Sequence, residues 1–199
     1  MKAPTTSVLC ALCLCLSLSV SQSSARARRQ SGDSLKWGAV GDGLQMSIAS
    51  VGPRLSETPQ LQVMFRNVGE HDITLNLGVM LANGKVQLPN RIGFNLTDSA
   101  GRTRKFDFFD GRYAAVAGRV DDYVVPLRAG STYALNLGLD KFYSSGTNEF
   151  ASKLPAGKYQ ITAQFEGVGA QALNLDTPGI GLMNFWKGTL QSNTLMFEK

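Results

Sequence analysis

The stretch from Pro59 to Val79, PQLQVMFRNVGEHDITLNLGV, constrains the fold more than any other. Leu61, Val63 and Phe65 alternate with Gln60, Gln62 and Arg66, and only Met64 breaks the pattern. After a polar interruption the alternation resumes at Ile73, Leu75, Leu77 and Val79, against Asp72, Thr74, Asn76 and Gly78. A period of two belongs to extended chain with one face buried. The interruption, Asn67 to Asp72, carries Asn, Gly and Asp, which suit turns. The pattern predicts two half-buried strands joined by a loop, the central pair of an antiparallel sheet.

The same signature recurs on both sides. Leu44, Met46 and Ile48 alternate with Gln45, Ser47 and Ala49, ahead of a connection containing Pro53. Asn83-Gly84, a strong hairpin signal, separates Leu77–Ala82 from Lys85–Leu88. Ile92, Phe94 and Leu96 alternate next, and Phe106 and Phe108 follow the turn Asp98–Gly101. Tyr123–Leu127 is apolar but contains Pro126, which restricts it to an edge or a strand end. Tyr133, Leu135, Leu137 and Leu139 form a clean set, Lys141–Lys153 reads as a polar loop with room for one helical turn, and Tyr159, Ile161, Ala163 and Phe165 form another strong strand. Gly-rich chain with Pro178 leads to Trp186-Lys187-Gly188, Leu190, Leu195 and Phe197. No segment sustains a 3.6-residue apolar period. About nine short strands with regular turn signals predict an all-β fold, a two-sheet antiparallel β-sandwich in a single domain over residues 37–199, with a β-barrel as the alternative.

The N-terminal region reads differently. Lys2 precedes an apolar run of 13 residues, Val8–Val20, and a serine-rich stretch ends at Ala25. That is the layout of a secretory signal peptide over residues 1–25, too short for a membrane-spanning helix. Arg26-Ala27-Arg28-Arg29 follows, in a basic, flexible segment over 26–36. Arg-x-Arg-Arg resembles the recognition site of furin-like convertases, whose acidic subsites read clustered arginines. Cleavage after Arg29, at the site marked by Arg26, Arg28 and Arg29, would leave Gln30 as the new N-terminus. Four of the 20 basic residues (Lys2, Arg26, Arg28, Arg29) precede Gln30, so the remainder carries 16 basic against 15 acidic residues, a net of +1. A chain this close to neutral lacks the footprint of a nucleic-acid binder. Cys10, Cys13 and Cys15 all lie in the signal segment, so the mature chain is expected to have no thiol nucleophile, cysteine–metal site or disulfide. The 170 residues after Arg29 can bury enough surface without such staples.

Three segments resemble immunoglobulin-like and fibronectin-III-like extracellular domains. Leu61–Gly69 (LQVMFRNVG) is similar to their hydrophobic strand followed by Arg/Lys-Asn-x-Gly, Leu154–Phe165 (LPAGKYQITAQF) to their penultimate strand, and Trp186-Lys187-Gly188 through Ser192-Asn193 and Phe197 to their terminal strand. They cover less than a third of the chain, and the Cys…Trp…Cys core of antibody domains is absent. The resemblance implies a fold and transfers no active site.

Candidate sites are few. His71, the single histidine, lies in a turn between Glu70 and Asp72, with no Gly-x-Ser-x-Gly elsewhere for a triad. Asp107, Asp110, Asp121 and Asp122 offer oxygen ligands but no EF-hand spacing, and turn or surface ion pairing with Arg112 and Arg119 accounts for them. Phe106, Phe108, Phe109 and Tyr113, among Arg102, Arg104, Lys105 and Arg112, form a basic-aromatic segment, with Phe109 out of phase with a core role. Phe109, Tyr113, Arg112, Trp37 and Trp186 are thus the candidates for a binding surface, while core packing is the competing role for the two tryptophans. Asn95-Leu96-Thr97 is a glycosylation sequon, and alternation with Ile92, Phe94 and Leu96 turns Asn95 outward. The expectation is a secreted, non-enzymatic β-sandwich that binds an extracellular protein or ligand, with no catalytic residue, metal or cofactor, no nucleic-acid partner and no membrane span. A lectin-like carbohydrate-binding domain that stacks sugars on Trp37 or Trp186 is the alternative, and a hydrolase a remote third.

Overall fold

The computed structural model describes residues 35–51, 59–82, 84–111, 119–171, 179 and 182–199. Its strands are β1 (Leu44–Val51), β2 (Gln60–Asn67), β3 (Ile73–Leu81), β4 (Val86–Leu88), β5 (Ile92–Asp98), β6 (Thr103–Phe108), β7 (Val120–Leu127), β8 (Thr132–Gly138), β9 (Phe142–Ser144), β10 (Glu149–Phe150), β11 (Lys158–Gly167), β12 (Gly188–Gln191) and β13 (Leu195–Glu198). Single turns of 3-10 helix occupy Leu139–Lys141 and Ala151–Lys153. The chain is all-β, and its strands form antiparallel sheets in the orders β1-β2-β8, β4-β3-β7 and β10-β9-β6-β5-β11-β12, with β13 also paired to β11. None of the sheets closes into a barrel among the described residues. The β-sandwich expected from the alternation is present, with three hydrogen-bonded sheets in place of two and thirteen described strands in place of nine.

Alternation placed the buried faces well. Leu44, Met46 and Ile48 of β1, Leu61, Val63 and Phe65 of β2, and Ile161, Ala163 and Phe165 of β11 are all buried in one core cluster. Phe65 meets Phe165 edge-on at 5.0 Å between ring centroids, which joins the β1-β2-β8 sheet to the large sheet across that core. On β5, Ile92, Phe94 and Leu96 are buried, whereas Asn95, half-buried, pairs laterally with Lys105 and Thr162 on the opposite face. The strand with Pro126 is an edge strand, since among the described residues β7 pairs only with β3. The hairpin predicted around Asn83-Gly84 joins β3 to β4, with Gly84 at φ +82°.

Four expectations need correction. First, β2 and β3 are not neighbours: β2 lies between β1 and β8, and β3 between β4 and β7. The cause is Asn67, 1% exposed, whose Nδ2 donates to the carbonyls of His71 (2.8 Å) and Leu127 (3.0 Å) and whose Oδ1 accepts from the Gly69 N–H (3.0 Å). Val68 and Gly69 then donate to the Gly43 carbonyl, so the connection turns from one sheet to another instead of closing a hairpin. Second, β3 is buried on both faces through Thr74–Gly78. Residues 184–186 run beside it, with Thr74 N–H donating to Asn184 and Trp186 N–H to Thr74. Asn76, fully buried, donates to Asp122 Oδ1 (2.9 Å) and to the Gly169 carbonyl (3.0 Å) and accepts from the Gly78 N–H (3.1 Å), so the polar half of the alternation is satisfied internally. This network sits at a bulge between Asn76 and Val79. Gly78 is at φ +145°, and a Cβ there would stand 2.3 Å from the Leu88 carbonyl oxygen.

Third, the segment read as a polar loop contains the hairpin β9–β10, reversed through residues 145–148 with Asn148 at φ +56°. Strands of three and two residues are too short to display a period. Fourth, the terminal stretch is two strands laid end to end on β11, parted at residues 192–194. There Asn193 uses its side chain as a strand would use its backbone, accepting from Ile48 N–H (2.8 Å) and donating to Ile48 C=O (3.2 Å) of β1.

Candidate functional site

The chain leaves β6 at Phe108. Phe106 is fully buried, and Phe108 packs inward on Phe142 at 5.4 Å. Phe109, one residue on, falls on the opposite face, and its N–H donates to the Lys141 carbonyl at 2.7 Å. The register places Asp107 beside Tyr143 and Tyr143 beside Phe150, so these residues share the outer face of the large sheet. Phe109 joins them. Its ring lies 5.9 Å from Tyr143 and 6.2 Å from Phe150, which are 5.2 Å apart. Phe109 remains 47% exposed. Three aromatic side chains therefore form one patch at a corner of the sheet, facing solvent. Lys141 Nζ, 3.2 Å from the well-buried Asp110 carboxylate, holds the chain beyond Phe109. The Tyr143 hydroxyl donates to Asn148 Oδ1 in the β9–β10 turn.

Of the residues singled out from the sequence, Phe109 is part of this patch. Arg112 and Tyr113 lie outside the described residues, as do Arg26, Arg28 and Arg29. The tryptophans are elsewhere. Trp186 is buried, stacked on Phe165 at 5.7 Å, with Nε1 donating to the Gly41 carbonyl (3.1 Å), so it closes the core. Trp37 is half-buried and covers the Arg66 guanidinium, which lies 4.5 Å from the centroid of its ring. Trp186 is thus part of the core, whereas one face of the Trp37 ring is taken by Arg66. His71 is exposed in the β2–β3 connection and contributes its carbonyl to Asn67.

The four aspartates do not converge. Asp107 pairs with Lys105 (3.0 Å), Asp110 with Lys141, Asp121 with Arg119 (2.8 Å), and Asp122 accepts from Asn76 and from the Gln171 N–H (2.9 Å). No group of three or more His, Cys, Asp or Glu side chains is placed to hold a metal among the described residues. The Tyr123 hydroxyl is pushed well above its usual value by burial and by its hydrogen bond with Tyr133 (2.7 Å). That pair lies between β7 and β8 and ties the two strands together.

Tyr143 and Phe150 were missed by the sequence reading. The signal was there in FYSSGTNEF, where aromatic residues flank a Ser-Ser-Gly-Thr-Asn turn, the layout of a short hairpin.

No family model matches the chain, and no curated protein does. Among solved structures, the chain is similar to a Northeast Structural Genomics Consortium target, SoR45, at 11% identity and a TM-score of 0.36, over 81% of this chain and 90% of that one. It is also similar to the beta-glucosidase from Kluyveromyces marxianus in complex with glucose, at 10% identity and a TM-score of 0.27, over 77% of this chain but only 15% of the other. Fold and site together define an all-β sandwich with a solvent-facing aromatic corner. No helix among the described residues is long and apolar enough to cross a membrane.

Proposed function

We propose that this chain is a secreted, non-enzymatic, immunoglobulin-like module that binds an extracellular partner through the Phe109–Tyr143–Phe150 corner. The observation that carries the reading is the patch itself. Aromatic rings supply large contact area at low entropic cost and dominate interface hot spots. Here three of them lie together on a sheet face, one nearly half exposed, where the core does not need them. Secretion rests on the signal-peptide layout of residues 1–25, processing on Arg26–Arg29, and a glycan on the outward Asn95. The resemblance of Leu61–Gly69 to immunoglobulin-like strands gains support from Asn67, whose side chain makes the crossing between sheets.

The test is capture from extracellular fluid with the wild-type protein and with Phe109→Ala, followed by titration of each purified captured component. The expected result is a component that binds the wild type and is at least tenfold weaker toward Phe109→Ala, about 1.4 kcal/mol. Equal binding by both proteins overturns the site, and a catalytic turnover by the wild-type protein overturns the non-enzymatic reading.

A further inference from the structure

We infer that the ligand of this face is a neutral oligosaccharide, laid across the strands from the aromatic corner; the inference rests on the binding-module reading above. The register sets one row of side chains on the outer face, running Phe150, Tyr143, Asp107, Gly93, Gln164, Gln191 over β10, β9, β6, β5, β11 and β12. At the spacing of neighbouring strands, about 4.8 Å, the row is roughly 24 Å long. Gly93, at its middle, is buried beneath its neighbours: a Cβ placed there would lie 3.2 Å from both Asp107 Oδ1 and the Phe106 carbonyl oxygen and 3.9 Å from Lys105 Cε.

Two features select the chemistry. The first is charge. Asp107 and Lys105, the ionised groups beside Gly93, are paired with each other at 3.0 Å, so they present no net charge there to an ionic ligand. The second is unspent hydrogen-bonding capacity. On the outer face of the β1-β2-β8 sheet Gln45 is engaged with Arg66 and Gln62 with Asn136, and of its glutamines Gln60 at the strand end makes no side-chain hydrogen bond among the described residues. On the large sheet Gln160, Gln164, Gln191 and Asn95 make no side-chain hydrogen bond among the described residues. A side-chain amide both donates and accepts, which matches the paired hydroxyls of a sugar, and aromatic rings take the apolar C–H faces of the same molecule. A peptide bound by strand addition would need an open strand edge, which this row, crossing strands at mid-face, does not provide. A glycan carried by Asn95, on β5 two residues from Gly93, shares the face and would compete for it.

The experiment uses the chain exported to a bacterial periplasm, where Asn95 stays unmodified. It is titrated with a panel of neutral gluco-, galacto- and manno-oligosaccharides of increasing length. The expected result is binding that tightens with length, is unchanged by added salt, and falls at least tenfold in both Tyr143→Ala and the double variant Gln164→Ala/Gln191→Ala. The double variant changes surface amides alone, and an unchanged urea midpoint shows that it is folded. Binding of charged glycans only, weakened by salt, overturns the inference, as does sugar binding that the double variant leaves intact. If no sugar binds while a captured protein shows Phe109-dependent affinity, the inference fails and the binding-module reading stands.

Discussion

Asn67 does more for this fold than its place in a turn would suggest. It serves three backbone groups, two of them on the β2–β3 connection and the third at the end of β7, and is sealed from water. Asn67→Ala would remove a side-chain donor from the Leu127 carbonyl, leave the His71 carbonyl and the Gly69 N–H without the same side chain, and release the β2–β3 crossing. A loss of about 3 kcal/mol in a urea titration is expected, against under about 0.5 kcal/mol for Gln62→Ala on the exposed face of the same strand. Asp98 makes a smaller, pH-dependent contribution. The Arg102 N–H, the Arg102 side chain and the Ala100 N–H hold its carboxylate below the usual value of 3.8, against an opposing effect of desolvation. A lowered folded pKa means that the contribution is present above the unfolded value and is lost as the pH falls through the folded one. Asp98→Asn should therefore make the urea midpoint less steeply dependent on pH below about 4, with no change in slope near neutrality.

Strand faces were legible because alternation is a local property of extended chain; strand partners beyond the Asn83-Gly84 hairpin were not. Phe65 and Phe165, assigned to buried faces from their phase alone, turn out to touch each other. Each truncation to Ala should cost about 3–5 kcal/mol. Because the two rings are in contact, the double variant should cost less than the sum, and a double-mutant cycle measures the difference. Alternation also assigned Arg66 and Gln164 to solvated faces, but the two are not equivalent. Arg66 donates to Gln45 at 2.6 Å and lies under Trp37, so Arg66→Ala should cost about 1 kcal/mol more than Gln164→Ala. The aromatic corner was half legible. Phe109 stood out by its phase, whereas Tyr143 and Phe150 sit in strands too short to show one and are joined to Phe109 only by the pairing of β6 with β9 and of β9 with β10.

The whole molecule is closed near its N-terminal end by residues 35–41. Gly38 N–H donates to the Met46 carbonyl, Lys36 accepts from Ser47 Oγ, and Gly41 accepts from Trp186 Nε1. Processing after Arg29 would leave this segment attached. The secreted protein is expected to begin at Gln30, read by intact mass with allowance for cyclisation of the terminal glutamine. Material that retains Arg26 throughout would refute the processing. The same measurement reports on Asn95. Protein from a eukaryotic secretory host should lose mass on amidase treatment, and Asn95→Gln should abolish the difference while keeping the urea midpoint, since Asn95 faces away from the core.

By itself the sequence determined that the chain is all-β, which residues of most strands are buried, and that the Pro126 strand lies at an edge. All of these follow from backbone geometry and side-chain polarity within a few residues. Tertiary structure alone decided that β2 and β3 part company, that Asn76 is buried among polar partners, and that Phe109, Tyr143 and Phe150 meet. Each of those outcomes needs at least one pair far apart along the chain: Asn67 with Leu127, Asn76 with Gly169, and Phe109 with Tyr143. No local period reports such a contact, because its energy is realised only once the sheets have come together.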